Sequence, residues 1–300
     1  MGGRGSKTKG SSPRRGVAGL DGGISLLRIE SLSHVGIFTK DQKRARAFYT
    51  GKVGLVLREA MRERGYVALG TTKAGGDASL ALWQPDPRTW GADYAPAAAQ
   101  IGSVTGVGFL TTHLERTVAR LRDRGVKVEV LGEQDGERYA RFFDADRNAL
   151  FLSEPPRPKA RRAGLQSLDF VTIVTRDARR SERFFTKGLG LKARRSPGEE
   201  SVEFRVGPKG TAILPFTPKK ENYEDPSNYD ADMAHIGEDT WIFFRTQDIL
   251  AMQDELMGRG VRFKEKAERG EWGGMQAKFF DPDENAYWLI EPRTRGRSLS

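Results

Sequence analysis

Three hundred residues carry 50 Lys and Arg against 40 Asp and Glu, a formal net charge of +10, with 37% apolar content, enough for a core. Cysteine is absent, which excludes disulfides and thiolate metal sites, and no apolar run approaches the ~18 residues of a membrane-spanning helix. Nor does the N-terminus show an apolar signal-peptide core, so a cytoplasmic protein with no membrane partner is expected.

Part of the positive charge sits in residues 1–25, where Arg4, Lys7, Lys9, Arg14 and Arg15 outnumber the single acid Asp21. This Gly/Ser-rich segment has no apolar periodicity and reads as a disordered basic tail. Elsewhere basic and acidic residues mix, without a basic helix or aromatics interleaved for base stacking, so a solvated surface outweighs nucleic-acid binding.

Ser33–Thr39 reads as a strand, and Asp41 caps a helix over Gln42–Lys52. Strands follow at Leu55–Met61, Tyr66–Leu69 and Ala78–Gln84, and then a Pro/Ala/Gly loop, Pro85–Gly102. The pattern restarts with a strand at Val104–Thr111 and a helix at Leu114–Arg124, whose Leu114, Val118 and Leu121 recur at helical spacing. Strands at Val126–Leu131, Arg138–Asp144 and Ala149–Glu154 complete a second βαβββ unit.

After the Pro-rich linker the order repeats. Asp169–Leu191 matches Ser33–Leu55 without a gap at a constant offset of 136 residues, aligning Asp41 with Asp177 and Phe48 with Phe184. Phe142–Pro155 (FFDADRNALFLSEP) likewise matches Phe279–Pro292 (FFDPDENAYWLIEP), which makes Glu154 and Glu291 equivalent. The chain is therefore a duplication. Its expected layout is a tail at 1–25, a module at 26–155, a linker at 156–164, a second module at 165–293 and a short tail at 294–300. The repeat is broken where His34 faces Phe170.

The strand–helix opening, the Asp-x-Asp-x-Asn hairpin and the terminal strand ending in Glu-Pro, each in order and twice, resemble the vicinal oxygen chelate superfamily of glyoxalases, bleomycin-resistance proteins and extradiol dioxygenases. The resemblance implies an α+β fold with four βαβββ units paired into two tandem glyoxalase-like modules with cupped mixed sheets. It further implies a divalent metal (Fe, Mn, Zn or Ni) held by side chains of the opening and closing strands, with open positions for a substrate bearing two adjacent oxygens. Carried over by position, the ligands are His34 and Glu154, with Gly106 at the third place. Phe170, Trp241 and Glu291 occupy the equivalent places of the second module. Gln84, Gln100 and Glu291 are weaker ligand candidates.

Strand alternation places Gly36, Gly106, Gly108, Leu150 and Leu152 on the concave face of the first module, and Phe170, Thr172, Trp241, Phe243, Tyr287 and Leu289 on that of the second. The first cup is thus expected to be open and the second filled by aromatic rings. Arg138 and Tyr139 are candidates to hold an anionic substrate group. His113 is expected at a helix start, and His235 in a solvated acidic loop. No residue stands out as a catalytic acid, base or nucleophile. Two protein ligands leave two small-molecule readings open: a metal-dependent lyase- or dioxygenase-like enzyme, or a metal-free protein that sequesters its ligand. A third reading, an interaction protein using the basic tail, also stands, and a homodimer is compatible with each.

Overall fold

The computed structural model describes residues 28–61, 65–134, 136–157, 164–195, 202–207 and 210–293. The expected tails and most of the 156–164 linker lie outside the described residues. Unit 1 is β1 (Ser31–Phe38), α1 (Gln42–Phe48), β2 (Val56–Met61), β3 (Tyr66–Gly70) and β4 (Ser79–Trp83). Past a short α2 (Tyr94–Ala99), unit 2 is β5 (Val104–Thr111), α3 (Leu114–Asp123), β6 (Lys127–Gln134), β7 (Glu137–Phe143) and β8 (Ala149–Glu154). Unit 3 is β9 (Leu165–Val174), α4 (Ala178–Arg183), β10 (Lys192–Arg194), β11 (Glu203–Arg205) and β12 (Ala212–Phe216). Past α5 (Pro226–Ala234), unit 4 is β13 (Asp239–Arg245), α6 (Ile249–Gly258), β14 (Arg262–Phe263), β15 (Glu268–Arg269), β16 (Met275–Phe280) and β17 (Ala286–Glu291). Among these residues no helix is long and apolar enough to cross a membrane.

The local chemistry of the opening segment is the same in both copies. Asp41 and Asp177 cap α1 and α4 by accepting from Arg44 N and Arg180 N, each at 2.9 Å. Both helices then widen into a π-turn, over Tyr49–Val53 and Phe184–Gly188. The turns drive Tyr49 and Phe185 completely into the core. Tyr49 Oη donates to Asp144 (2.9 Å). The second copy lacks that hydroxyl in Phe185, and Tyr287, on the last strand, supplies it instead by donating to Asp281 (3.1 Å). A buried carboxylate thus keeps a phenol in both copies, contributed by different elements.

Two mixed sheets result, and their composition crosses the module boundary. One runs β14-β16-β17-β13-β1-β4-β3-β2, with β15 on β16; the other runs β10-β11-β12-β9-β5-β8-β7-β6. Units 1 and 4 therefore share a sheet through the antiparallel β1–β13 pair, with His34 opposite Phe243. Units 2 and 3 share the other through β5–β9, with Gly108 opposite Phe170. Within a module the two units are tied through the closing hairpin rather than by strand pairing. Asn148 Nδ2 donates to Phe38 O (2.8 Å), and Asn285 Nδ2 donates to Val174 O (3.0 Å). The tandem glyoxalase-like organisation holds, while each cup is built from one unit of either module.

The helices cover one face of each sheet and leave the other face free to form a cup. Leu114, Val118 and Leu121 of α3 are buried in the main core together with Leu150 and Leu152 of β8 and with Tyr287 and Leu289 of β17. Each such side chain contributes about 1.5–3 kcal/mol by leaving water. Leu150, Leu152, Tyr287 and Leu289 therefore face the helices, contrary to the concave placement expected from sequence. On the closing strands β8 and β17 the alternation holds, but its phase is shifted by one residue from the expected one.

Candidate functional site

The sheet of units 1 and 4 encloses a cleft of about 1430 Å³. Trp83, Trp90, Trp241, Trp272 and Trp288 all border it, and the chain has five tryptophans in total. The side chains make a continuous circuit. Trp288 stacks on Phe243 (centroids 5.6 Å apart, 8° between planes), and Phe243 stacks on His34 (4.0 Å, 22°). His34 meets the edge of Tyr66 (5.7 Å), Tyr66 lies 4.8 Å from Trp83, and Trp83 lies 5.9 Å from Trp90. Trp90 reaches Trp241 (5.6 Å), which returns to Phe243 (6.5 Å).

Backbone features make this packing feasible. Gly36 lies between His34 and Phe38 on the cup face of β1, and a Cβ there would sit 2.9 Å from Trp241 Cβ and 3.1 Å from Trp83 Nε1. Its missing side chain is therefore the space these indoles occupy. Trp241 has φ +52°, in the left-handed region, at a bulge of β13. The equivalent residue of unit 2 is Gly106 (φ +66°), for which that conformation is unstrained. A tryptophan there costs ~1–3 kcal/mol of backbone strain, offset by indole packing in the cup. Trp288 is oriented by Nε1 donation to Asp239 (3.2 Å) and by Lys278 Nζ, 4.4 Å above its ring and 2.8 Å from Asp239.

His34 is 8% exposed, its Nδ1 lies 3.2 Å from Ser33 Oγ, and its Nε2 is buried without a partner. Loss of hydration lowers its pKa from 6.5 to about 3, so the imidazole is neutral at physiological pH. The unfolded chain takes up a proton near pH 6.5, whereas the folded chain resists it until about pH 3. This contribution to stability is complete above pH 6.5 and declines as pH falls through that window, by at most about 1.4 kcal/mol per unit. Urea midpoints at pH 7 and pH 5 should therefore differ less for His34→Phe than for the parent protein; equal differences would refute the assignment.

A smaller cavity of about 630 Å³ lies against the second sheet and reaches β1 and β13 of the first; Gly36, Gly106, Tyr139, Phe151, Phe170 and Thr172 border it. The cavity is not open at its floor: a Cβ on Gly106 would meet Thr172 Oγ1 at 2.3 Å, and one on Gly108 would meet the Phe170 ring at 2.2 Å. Asp232, His235, Glu238 and Asp239 of the acidic loop also border it, and His235 is engaged by Glu238 (3.0 Å).

Two family descriptions, both of the Glyoxalase/Bleomycin resistance protein/Dioxygenase superfamily, match residues 33–142 and 167–289. This chain belongs to that superfamily. A similar solved structure, glyoxalase I from Zea mays, is 16% identical with a TM-score of 0.61, and the match covers 87% of this chain and 92% of that one. At that identity the likeness is one of fold. The uncharacterized protein YwkD of Bacillus subtilis is 29% identical over 130 residues, 42% of this chain and 98% of the relative. TnmS3, an antibiotic binding protein from Streptomyces sp. CB03234, is 28% identical over 42% of this chain and 97% of its own, with a TM-score of 0.35.

The metal ligands implied by superfamily resemblance are dispersed by this topology. His34 and Gln84 border the large cleft, and Gln100 borders the small cavity. Gln84 is occupied at the cleft rim, where its Oε1 accepts from Gln42 N (3.0 Å). Glu154 belongs to the other sheet from His34 and faces its helix side, where it pairs with Arg138. Arg138 also pairs with Glu115 (2.8 Å) and so lies outside both cups, as does Leu152. Glu291 accepts from Ile249 N (2.9 Å) at the start of α6, a structural role. The cup-facing residues of β17 are Trp288 and Ile290, and those of β13 include Trp241 and Phe243. Among the described residues no three His, Asp or Glu side chains gather to hold a metal ion. One imidazole nitrogen framed by Phe243 and Tyr66 does not make the three- or four-ligand set a divalent ion requires. The residues present do not fit a metal centre.

Of the pocket residues expected from sequence, Gly36, Gly106 and Tyr139 do border the small cavity, with Gly108 beneath Phe170. Sequence reasoning missed Trp83, Trp90, Tyr66 and Trp288 as cleft residues. It placed Trp241 and Phe243 as bulk in the second module, apart from His34. The distribution of tryptophan carried the signal: all five lie in units 1 and 4 or the loop after β4, with none between residues 91 and 240.

Proposed function

We propose that this protein binds a flat, largely apolar small molecule in the cleft of units 1 and 4, without a metal and without turnover. One observation carries the reading: every tryptophan of the chain lines that single cleft. Rigid indole faces supply large apolar contact at little conformational cost, and offset stacking selects planar ligands. Ordinary core packing would have spread such residues over both sheets. His34, neutral and desolvated, suits binding better than proton transfer near neutral pH.

The binding reaction is simple in physical terms. The ligand displaces water from the cleft and stacks on the indoles, and Trp288 is held in place by Asp239 and Lys278. Intrinsic emission should report occupancy cleanly, since no tryptophan lies elsewhere. Titration with acridine at pH 8 should quench that emission saturably at one equivalent per chain, and equilibrium dialysis should return unmodified acridine. Elemental analysis of protein purified without chelator should find no stoichiometric transition metal. Unsaturable quenching, or one tightly held metal per chain that is lost in His34→Ala, would overturn the reading.

A further inference from the structure

The floor of the aromatic cleft holds two polar atoms with nothing to bond. His34 Nε2 and Trp83 Nε1 are both buried and both lack a hydrogen-bond partner. They lie on adjacent strands, His34 on β1 and Trp83 at the end of β4, and both border the same cleft. Trp83 Nε1 lies over Gly36, 3.1 Å from where its Cβ would be, and His34 is two residues earlier on the same strand. Buried polar groups in folded proteins are almost always paired, so two orphans on side chains that border one cleft require a reason.

Two other indoles that border the cleft are bonded within the protein. Trp288 Nε1 donates to Asp239, and Trp272 Nε1 donates to Gln276 (2.8 Å). Trp272 and Trp288 are therefore satisfied by protein, while His34 Nε2 and Trp83 Nε1 are left for something else. An indole N–H can only donate. The imidazole, with Nδ1 beside a serine hydroxyl that can either give or take a proton, presents Nε2 in either role. A hydroxyl is the simplest group that accepts from the indole and serves the imidazole in both tautomers.

We propose that His34 and Trp83 form a polar reading edge that selects flat aromatic ligands bearing a hydroxyl group over the corresponding hydrocarbons. The selection acts chiefly by exclusion, because a hydrocarbon leaves both orphans unpaired while a hydroxyl at this edge pairs with one or both of them. The inference rests on the cleft being a binding site, and it adds the chemistry that the cleft discriminates.

The test compares 2-naphthol with naphthalene by equilibrium dialysis at pH 7.5, where neither probe is charged. The full-length protein should bind 2-naphthol about tenfold or more tightly than naphthalene, as expected when a buried hydrogen bond is recovered. In His34→Phe, which retains a ring to stack on Phe243, that preference should collapse toward unity. Trp83→Phe, which removes only the N–H side of the pair, should reduce the preference in the same direction. Equal affinity of the parent protein for both probes, or a preference that survives in both variants, overturns the reading edge and leaves the cleft assignment standing. Failure of both probes to bind overturns the cleft assignment itself.

Discussion

Cutting the chain within the 156–164 linker should leave neither half able to fold as an independent monomer, whereas the two halves produced together should reassemble one to one. The reason lies in which strands meet. The β1–β13 pair joins the first half to the second, with Ser31 opposite Arg245 and Val35 opposite Ile242. The β5–β9 pair does so again, with Val107 opposite Val171. A fragment of residues 26–155 alone would present both β1 and β5 as bare edges along their full length, a template for aggregation or self-pairing. It would also uncover the apolar side chains that Phe243 and Trp241 cover in the intact chain. Size-exclusion chromatography and urea unfolding read the outcome. The separate fragments should be insoluble or self-associated, and the co-produced pair should elute as a single complex with a cooperative transition. A monomeric 26–155 fragment that melts cooperatively would show that the sheets assemble within modules instead.

That topology also explains which parts of the molecule were legible beforehand. The duplication, the Asp caps of the opening helices and the Asp-x-Asp-x-Asn hairpins depend on neighbours within a few residues, and those neighbours are visible in sequence. Asp41 and Asp177 cap as their positions imply. The choice of sheet partner is not local. All four opening strands carry similar patterns, so β1 could have met β5 or β13 with equal local propriety. The consequence reaches the site: with each cup assigned to one module, His34 and Glu154 are expected in the same open cup, whereas His34 stacks on Phe243, a ring expected to fill the other cup.

The phase of the closing strands was the second obstacle. Glu154 and Glu291 end their strands just before a proline and invite reading as cup-facing carboxylates. Both instead turn toward helices, one to Arg138 and one to the first backbone N–H of α6. Alternation alone cannot tell the two faces apart when both are apolar, as they are here: Leu150 faces the helices and Phe151 the cavity. What could have resolved it is composition. Tryptophan is too large to scatter harmlessly through four helix-packed cores, and its confinement to units 1 and 4 marks them as two walls of one cleft.

Phe243→Ala is expected to have the largest effect of any single substitution in the cup, on stability and on binding together. Phe243 is the joint of the aromatic circuit: it stacks on His34 at 4.0 Å and on Trp288 at 5.6 Å, and it lies 6.5 Å from Trp241. Truncation removes contact on three sides and leaves a gap that the β13 backbone, paired to β1 and β17 on either side, cannot close. Buried Phe→Ala changes cost about 3–5 kcal/mol, and the low end applies because one face of this ring looks into the cleft. Urea unfolding followed by far-UV circular dichroism should show a loss of about 3 kcal/mol, and acridine affinity should fall at least about tenfold. A second signature separates the cup from generic core damage. Opening the stack admits water to His34, so the imidazole regains part of its hydration and its pKa rises back toward 6.5. The decline in stability between pH 6.5 and pH 5 should then be shallower in Phe243→Ala than in the parent protein, because the folded variant now also takes up protons in that interval. A steep, parent-like decline alongside the stability loss would mean that Phe243 packs the sheet without sealing His34, and the cup would lose its keystone.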